Sequence, residues 1–161
     1  MKTNRRPGFT LIEILLALTI ISILSIAVLV GLKPAQRLAD SRDAKRAQDV
    51  NEILSGIFQC AIDKKDNASL STCLGSYTVG NTYEIVSGAI TSGCKNTCTL
   101  ATSDTSCLRL DSTLSDYFTS LPQDPNNATT GHTGYSITIY SNHMAVIDAC
   151  AAENSPIKVS R

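Results

Sequence analysis

One carboxylate in this chain occupies an expensive place. Glu13 stands four residues after Phe9, and from Ile14 to Leu32 nineteen residues follow without a charge. An ionised carboxylate deep in hydrocarbon costs about 2.5–3.5 kcal/mol on insertion scales, and less near the interface. The expense makes sense if a cation meets the acid when the segment packs against another. Cutting the chain after Gly8 would supply that cation as a new ammonium on Phe9. The ammonium would lie roughly one helical turn, ~6 Å, before Glu13. In a staggered helix bundle the amine of one chain can reach the acid of its neighbour. A low-dielectric surrounding makes such a pair strong and selective for register.

The second set of reactive residues is six cysteines: Cys60, Cys73, Cys94, Cys98, Cys107 and Cys150. All lie after the apolar run. An even count in a small polar domain reads as disulfides in an oxidising compartment. Cys94-x3-Cys98 has a loosely zinc-like spacing, but no second tight Cys or His pair accompanies it, and His132 and His143 are isolated. Six cysteines allow fifteen pairings. Cys60 lies near an expected helix end, so Cys60–Cys73 would tie a loop to that helix; Cys94–Cys98 and Cys107–Cys150 are the other expected pairs.

These residues need elements to position them. The chain has 161 residues, enough for one modest domain and an attachment element. The uncharged run reads as a membrane-spanning helix, since about 20 residues at ~1.5 Å rise cross ~30 Å of hydrocarbon. An ordinary secretory signal has a shorter apolar core and a cleavage site after it. Arg5-Arg6 is followed by Pro-Gly-Phe-Thr, a poor twin-arginine context, and a lipoprotein would need a cysteine before Cys60. A plain single-span anchor explains everything except Pro7-Gly8 and Glu13. Net charge is zero, which argues against a nucleic-acid specialist. Removing the first eight residues leaves 11 Lys and Arg against 14 Asp and Glu, a formal charge of −3.

Arg6-Pro7-Gly8-Phe9-Thr10-Leu11-Ile12-Glu13, followed by an unbroken apolar run, resembles the class III signal of type IV pilins and pseudopilins. The resemblance covers about the first 33 residues. It implies that a membrane-embedded prepilin peptidase cuts after Gly8, that Phe9 becomes the N-methylated first residue, and that Glu13 pairs with a neighbouring N-terminus during assembly. It also implies the α+β pilin fold, a long N-terminal helix half in the membrane and half packed on a small antiparallel sheet. Cations flank the span on both sides, so counting them does not orient it. A cytoplasmic leader and oxidised cysteines both place the N-terminus inside.

Four segments follow: a leader over 1–8, a transmembrane and filament-core helix over 9–33, an amphipathic helix over 34–65, and a disulfide-stapled β head over 66–161. Gly31 and Pro34 predict a kink where the helix leaves the bilayer. Val50, Ile53, Leu54, Ile57, Phe58, Ala61 and Ile62 form one apolar stripe, the pattern of a helix laid on a sheet. Lys45 and Asp49 sit at i and i+4 on a polar flank. The cations from Lys33 to Arg46 read as a solvated or headgroup-facing surface, because Asp40, Asp43 and Asp49 interrupt them.

In the head, residues 66–76 read as a loop holding Cys73, and residues 77–79 and 83–90 as short strands around Gly80-Asn81. Asp111 or Ser112 caps an expected helix running from Leu114 to Ser120. Tyr135–Tyr140 alternates, Ser141-Asn142 turns and His143–Ala149 returns, the clearest hairpin in the chain. Leu121-Pro-Gln-Asp-Pro125 and Gly134-Tyr135 resemble the head of major pseudopilins. That likeness implies a calcium candidate at Asp124 with carbonyls of 125–131, against the alternative of a proline-rich turn.

No G-x-S-x-G, H-E-x-x-H or P-loop appears, so no enzyme is expected. The expectation is a pilus-like filament subunit without a resident cofactor. The resemblance gives it a prepilin peptidase, an assembly platform and ATPase machinery, and other pilins as partners. It would reside in the inner membrane before assembly and in an extracellular pilus or periplasmic pseudopilus afterwards. A pseudopilin of type II secretion and a single-span anchored binding module are the rivals.

Overall fold

A computed structural model of the chain describes residues 8–64, 69–90, 92–94 and 106–161. The chain divides into two units, Met1–Leu38 and Ala39–Arg161.

The first unit is built on helix α1, Leu11–Leu32. At ~1.5 Å per residue its 22 residues extend about 33 Å. Not one of its side chains is buried within the chain. Its few polar side chains are satisfied locally: the hydroxyls of Thr19, Ser22 and Ser25 donate to the carbonyls of Leu16, Leu18 and Ile21. A helix in hydrocarbon requires such internal satisfaction. The expected break falls at Lys33, whose backbone is left-handed (φ 42°, ψ 61°). Pro34 does not interrupt a helix; it opens the next one, α2, Pro34–Asp63. Its fixed φ and missing N–H suit that first position. Arg37 Nε donates to the carbonyl of Leu32 at 3.2 Å, closing the end of α1.

The second unit takes α2 from Ala39 onward. The apolar stripe holds through Val50, Ile53, Leu54 and Ile57, all buried, and Cys60 extends it. Ile62 departs from it and is 68% exposed. A five-stranded sheet covers this face: β1, Thr82–Val86; β2, Cys107–Arg109; β3, His132–Ile139; β4, Ala145–Ala149; and β5, Ile157–Ser160. The order is β2-β1-β3-β4-β5, with β1 and β2 parallel and the other pairs antiparallel. Tyr83, Ile85, Leu108, Tyr135, Ile137, Ile139, Ala145 and Ile147 form the core with α2. The expected hairpin is β3–β4, in register from Tyr135↔Ala149 to Ile139↔Ala145.

Several expectations are corrected. Ser69–Leu74 is a short helix, α3, where a loop was read. Leu70, Cys73 and Leu74 fall on one face of it at i, i+3 and i+4, and all three are buried. Residues 77–79 form no strand, and the first strand ends at Val86 rather than residue 90. Residues 111–117 are a series of turns, not a capped helix. Leu114 is anchored there by its N–H to the carbonyl of Leu110 at 2.9 Å, and buries itself in the core.

Candidate functional site

The residues expected to be cut, methylated and used in assembly are grouped at the start of α1. Phe9 is 85% exposed. Thr10 is the N-cap of α1, and its hydroxyl accepts from the N–H of Glu13 at 3.3 Å. Glu13 answers: its Oε2 accepts from the Thr10 N–H at 2.7 Å and the Thr10 hydroxyl at 2.8 Å. This reciprocal capping box satisfies donors that a helix start otherwise leaves bare. Thr10 is therefore a site residue that reading the acid alone misses. The T-x-x-E spacing carried the signal. The box holds Glu13 within one turn of the Gly8–Phe9 bond, and Oε1 bears no hydrogen bond among the described residues.

The cysteines staple the head differently from expectation. Cys60–Cys73 is present, joining the end of α2 to α3. Cys94 bonds to Cys107, which overturns both Cys94–Cys98 and Cys107–Cys150. Cys107 opens β2, so the bond ties Cys94 to the start of that strand. Cys150 is also disulfide-bonded. Cys98 lies outside the described residues.

Arg46 was read as part of a solvated or headgroup-facing surface. It is instead wholly buried. Its Nε donates to Asp124 Oδ2 at 2.7 Å, and its Nη1 donates to Asp43 at 2.8 Å and to Glu153 at 3.0 Å. Arg42 grips both oxygens of Glu153 at 2.6 Å in a bidentate pair. The Asp43 carboxylate accepts from the backbone N–H of Glu153 and of Asn154. The loop after β4 is thus pinned to α2. Burial works to raise the Asp43 pKa, but those N–H groups and Arg46 outweigh it and bring it down to about 2. Glu153 is held at about 2 by Arg42 and then Arg46.

Asp124, the calcium candidate, is committed to the protein itself. Arg46 Nε takes Oδ2, and the N–H groups of Asn126 and Asn127 donate to Oδ1 at 2.9 and 2.7 Å. Burial would raise its pKa, yet these donors lower it. Gly134 (φ 81°) sits in the β-bulge of β3, and a Cβ there would lie 2.9 Å from Asp124 Cβ. Asp49, expected on a polar flank with Lys45, is buried: it pairs with Lys45 and also accepts from the Tyr135 hydroxyl at 2.8 Å. Burial and that bond push the Tyr135 pKa up.

A family model described as the prokaryotic N-terminal methylation motif matches residues 3–29. No curated protein and no solved structure matches the chain. The match spans the class III signal of type IV pilins and pseudopilins and most of α1; with α2 and the mostly antiparallel sheet that follow, the α+β layout matches the pilin fold.

Proposed function

We propose that the chain is the structural subunit of a type IV pilus-like filament, made as a membrane-anchored precursor and cut after Gly8. Phe9 is then the methylated first residue, and α1 enters the filament core. Lateral packing of α1 drives assembly. The observation that carries this reading is a fully unburied apolar helix whose only acid is held one turn from the processing site. In the membrane, lipid covers α1; in the filament, neighbouring copies of α1 replace it. Glu13 sets register by accepting a hydrogen bond from the ammonium of an adjacent subunit, beside or in place of the one it accepts from the Thr10 N–H. The head, stapled by disulfides, forms the outer surface. A prepilin peptidase, a platform protein with its ATPase, and other pilins are the partners this reading needs.

The test is Glu13→Ala in the native cell. The variant is expected to accumulate in the membrane while incorporation into sheared filaments falls by at least about tenfold, equivalent to a loss of about 1.4 kcal/mol or more. Undiminished filaments would refute the assembly role of Glu13. Imaging distinguishes a surface pilus from a short periplasmic pseudopilus.

A further inference from the structure

The sheet face turned away from α2 carries a cluster that filament assembly does not use. Tyr83 and Ile85 point into the core, so Glu84 between them points to the other face. His132, at the start of β3, meets it there: Nδ1 lies 3.2 Å from Glu84 Oε1. Cys94 lies beside both, and one donor atom from each of the three lies within 4.8 Å of the other two. Glu84 and Cys94 are buried and His132 is partly so. A cleft of about 250 Å³ adjoins them, lined also by Asn127, Thr129 and Ser136.

Carboxylate, imidazole and thiolate are the donor set of zinc, with ligand bonds of about 2.0–2.3 Å. Two such N and O ligands at a tetrahedral angle stand about 3.3 Å apart, by those bond lengths. The Glu84–His132 hydrogen bond, at 3.2 Å, spans nearly the same edge, and a metal would take the place of its proton. The third donor is withheld, because the Cys94 sulfur is bonded to Cys107. Breaking that bond releases the Cys94 thiol and that of Cys107, which pairs with Glu84 between β1 and β2.

We propose that the dithiol form of the chain binds one zinc-type divalent cation through Cys94, Glu84 and His132, with Cys107 as the fourth ligand. The disulfide and the metal are alternative occupants of one site. A newly exported chain passes through the dithiol state before the bond closes. Metal would then hold the β1–β2 crossover against the sheet while shielding both sulfurs from oxidation. The reductive step balances with a phosphine. Its electron pair cleaves the S–S bond, and it leaves as the phosphine oxide, water supplying the oxygen and both thiol protons. On binding, the metal displaces the thiol protons to solvent, and His132 offers a ring nitrogen.

The probe is Co²⁺ added to the detergent-solubilised full chain, with and without phosphine. The reduced chain is expected to take up one Co²⁺ with a sulfur-to-cobalt charge-transfer band and tetrahedral visible bands. The oxidised chain gives neither. Glu84→Gln and His132→Gln, each checked for native circular dichroism, are expected to lower Co²⁺ affinity by more than about 10-fold, since even residues outside the ligand shell are worth 10–100-fold. The Cys94→Ser/Cys107→Ser double variant keeps the other four cysteines and is expected to lose the band. The proposal is overturned if the reduced wild-type chain gives no band. It is equally overturned if the band survives in the double variant, or if both glutamine variants bind as tightly as wild type.

Discussion

Arg46 and Asp124 are 78 residues apart, and Nε of the first lies 2.7 Å from Oδ2 of the second with both side chains fully buried. This pair joins the polar half of α2 to the loop before β3. Removing one partner of a buried pair leaves an uncompensated charge, which costs about 3–5 kcal/mol. Arg46→Met is expected to destabilise the head by that amount in denaturant unfolding. Arg46→Met combined with Asp124→Asn is expected to cost clearly less than the sum of the two single changes. Additive costs would mean the two residues are not coupled.

Acid should loosen the same region. Asp43 and Glu153 have folded pKa values of about 2, below their ordinary 3.8 and 4.5. Depressed values mean that these carboxylates stabilise the fold above their unfolded pKa and lose that contribution as pH falls toward about 2. The melting temperature is therefore expected to fall between about pH 5 and pH 2. Asp43→Asn with Glu153→Gln should flatten that slope, and an unchanged slope would rule the pair out as its source.

Gly56 faces the ring of Phe118, and a Cβ at that position would lie 2.2 Å from Cζ and 2.4 Å from Cε2. In an exposed helix Gly→Ala would gain about 1 kcal/mol. Here crowding should reverse the sign, and Gly56→Ala is expected to cost about 1–3 kcal/mol. In a Phe118→Ala background the same change should become neutral or stabilising. Chemical denaturation of the four proteins measures the cycle.

The Cys60–Cys73 bond closes a loop with a sequence separation of 13 residues. A closure of that size is worth about 3 kcal/mol in the chain-entropy model. Replacing both cysteines by alanine is expected to lower stability by at least that amount, because both side chains are also buried in the core. A loss below about 1 kcal/mol would mean that the rest of the head already fixes α3 in place.

The parts of the fold legible in the sequence are those with a sustained period. The stripe from Val50 to Ile57 and the β3–β4 hairpin repeat long enough to stand out from chance. Ile157–Ser160 also alternates, with Ile157 and Val159 partly buried, but four residues at the chain end give too little pattern to separate from a tail. The short helix α3 shows only one turn of periodicity. Arg46 had a signal that its charge obscured. Counting back from Ile57, Ile53 and Val50 in steps of three and four reaches Arg46, so it belongs to the buried face. Its acidic partners Asp124 and Glu153 are remote in sequence, and nothing local predicts them. The Cys94–Cys107 bond was hidden for a related reason: β2 pairs in parallel with β1, so the crossover must return alongside its own start. The capping box of Thr10 and Glu13 was legible from spacing alone; the cost of the acid drew the reading toward a neighbour and away from Thr10.

In the proposed assembly mechanism every step depends on processing after Gly8, because without it Glu13 has no ammonium to meet. The direct measurement is the mass of the N-terminal peptide of the mature chain purified from its native cell. Cleavage and methylation predict a peptide beginning at Phe9 and heavier by one methyl group. A peptide that still begins at Met1, in a chain that remains monomeric, would contradict the mechanism at its first step.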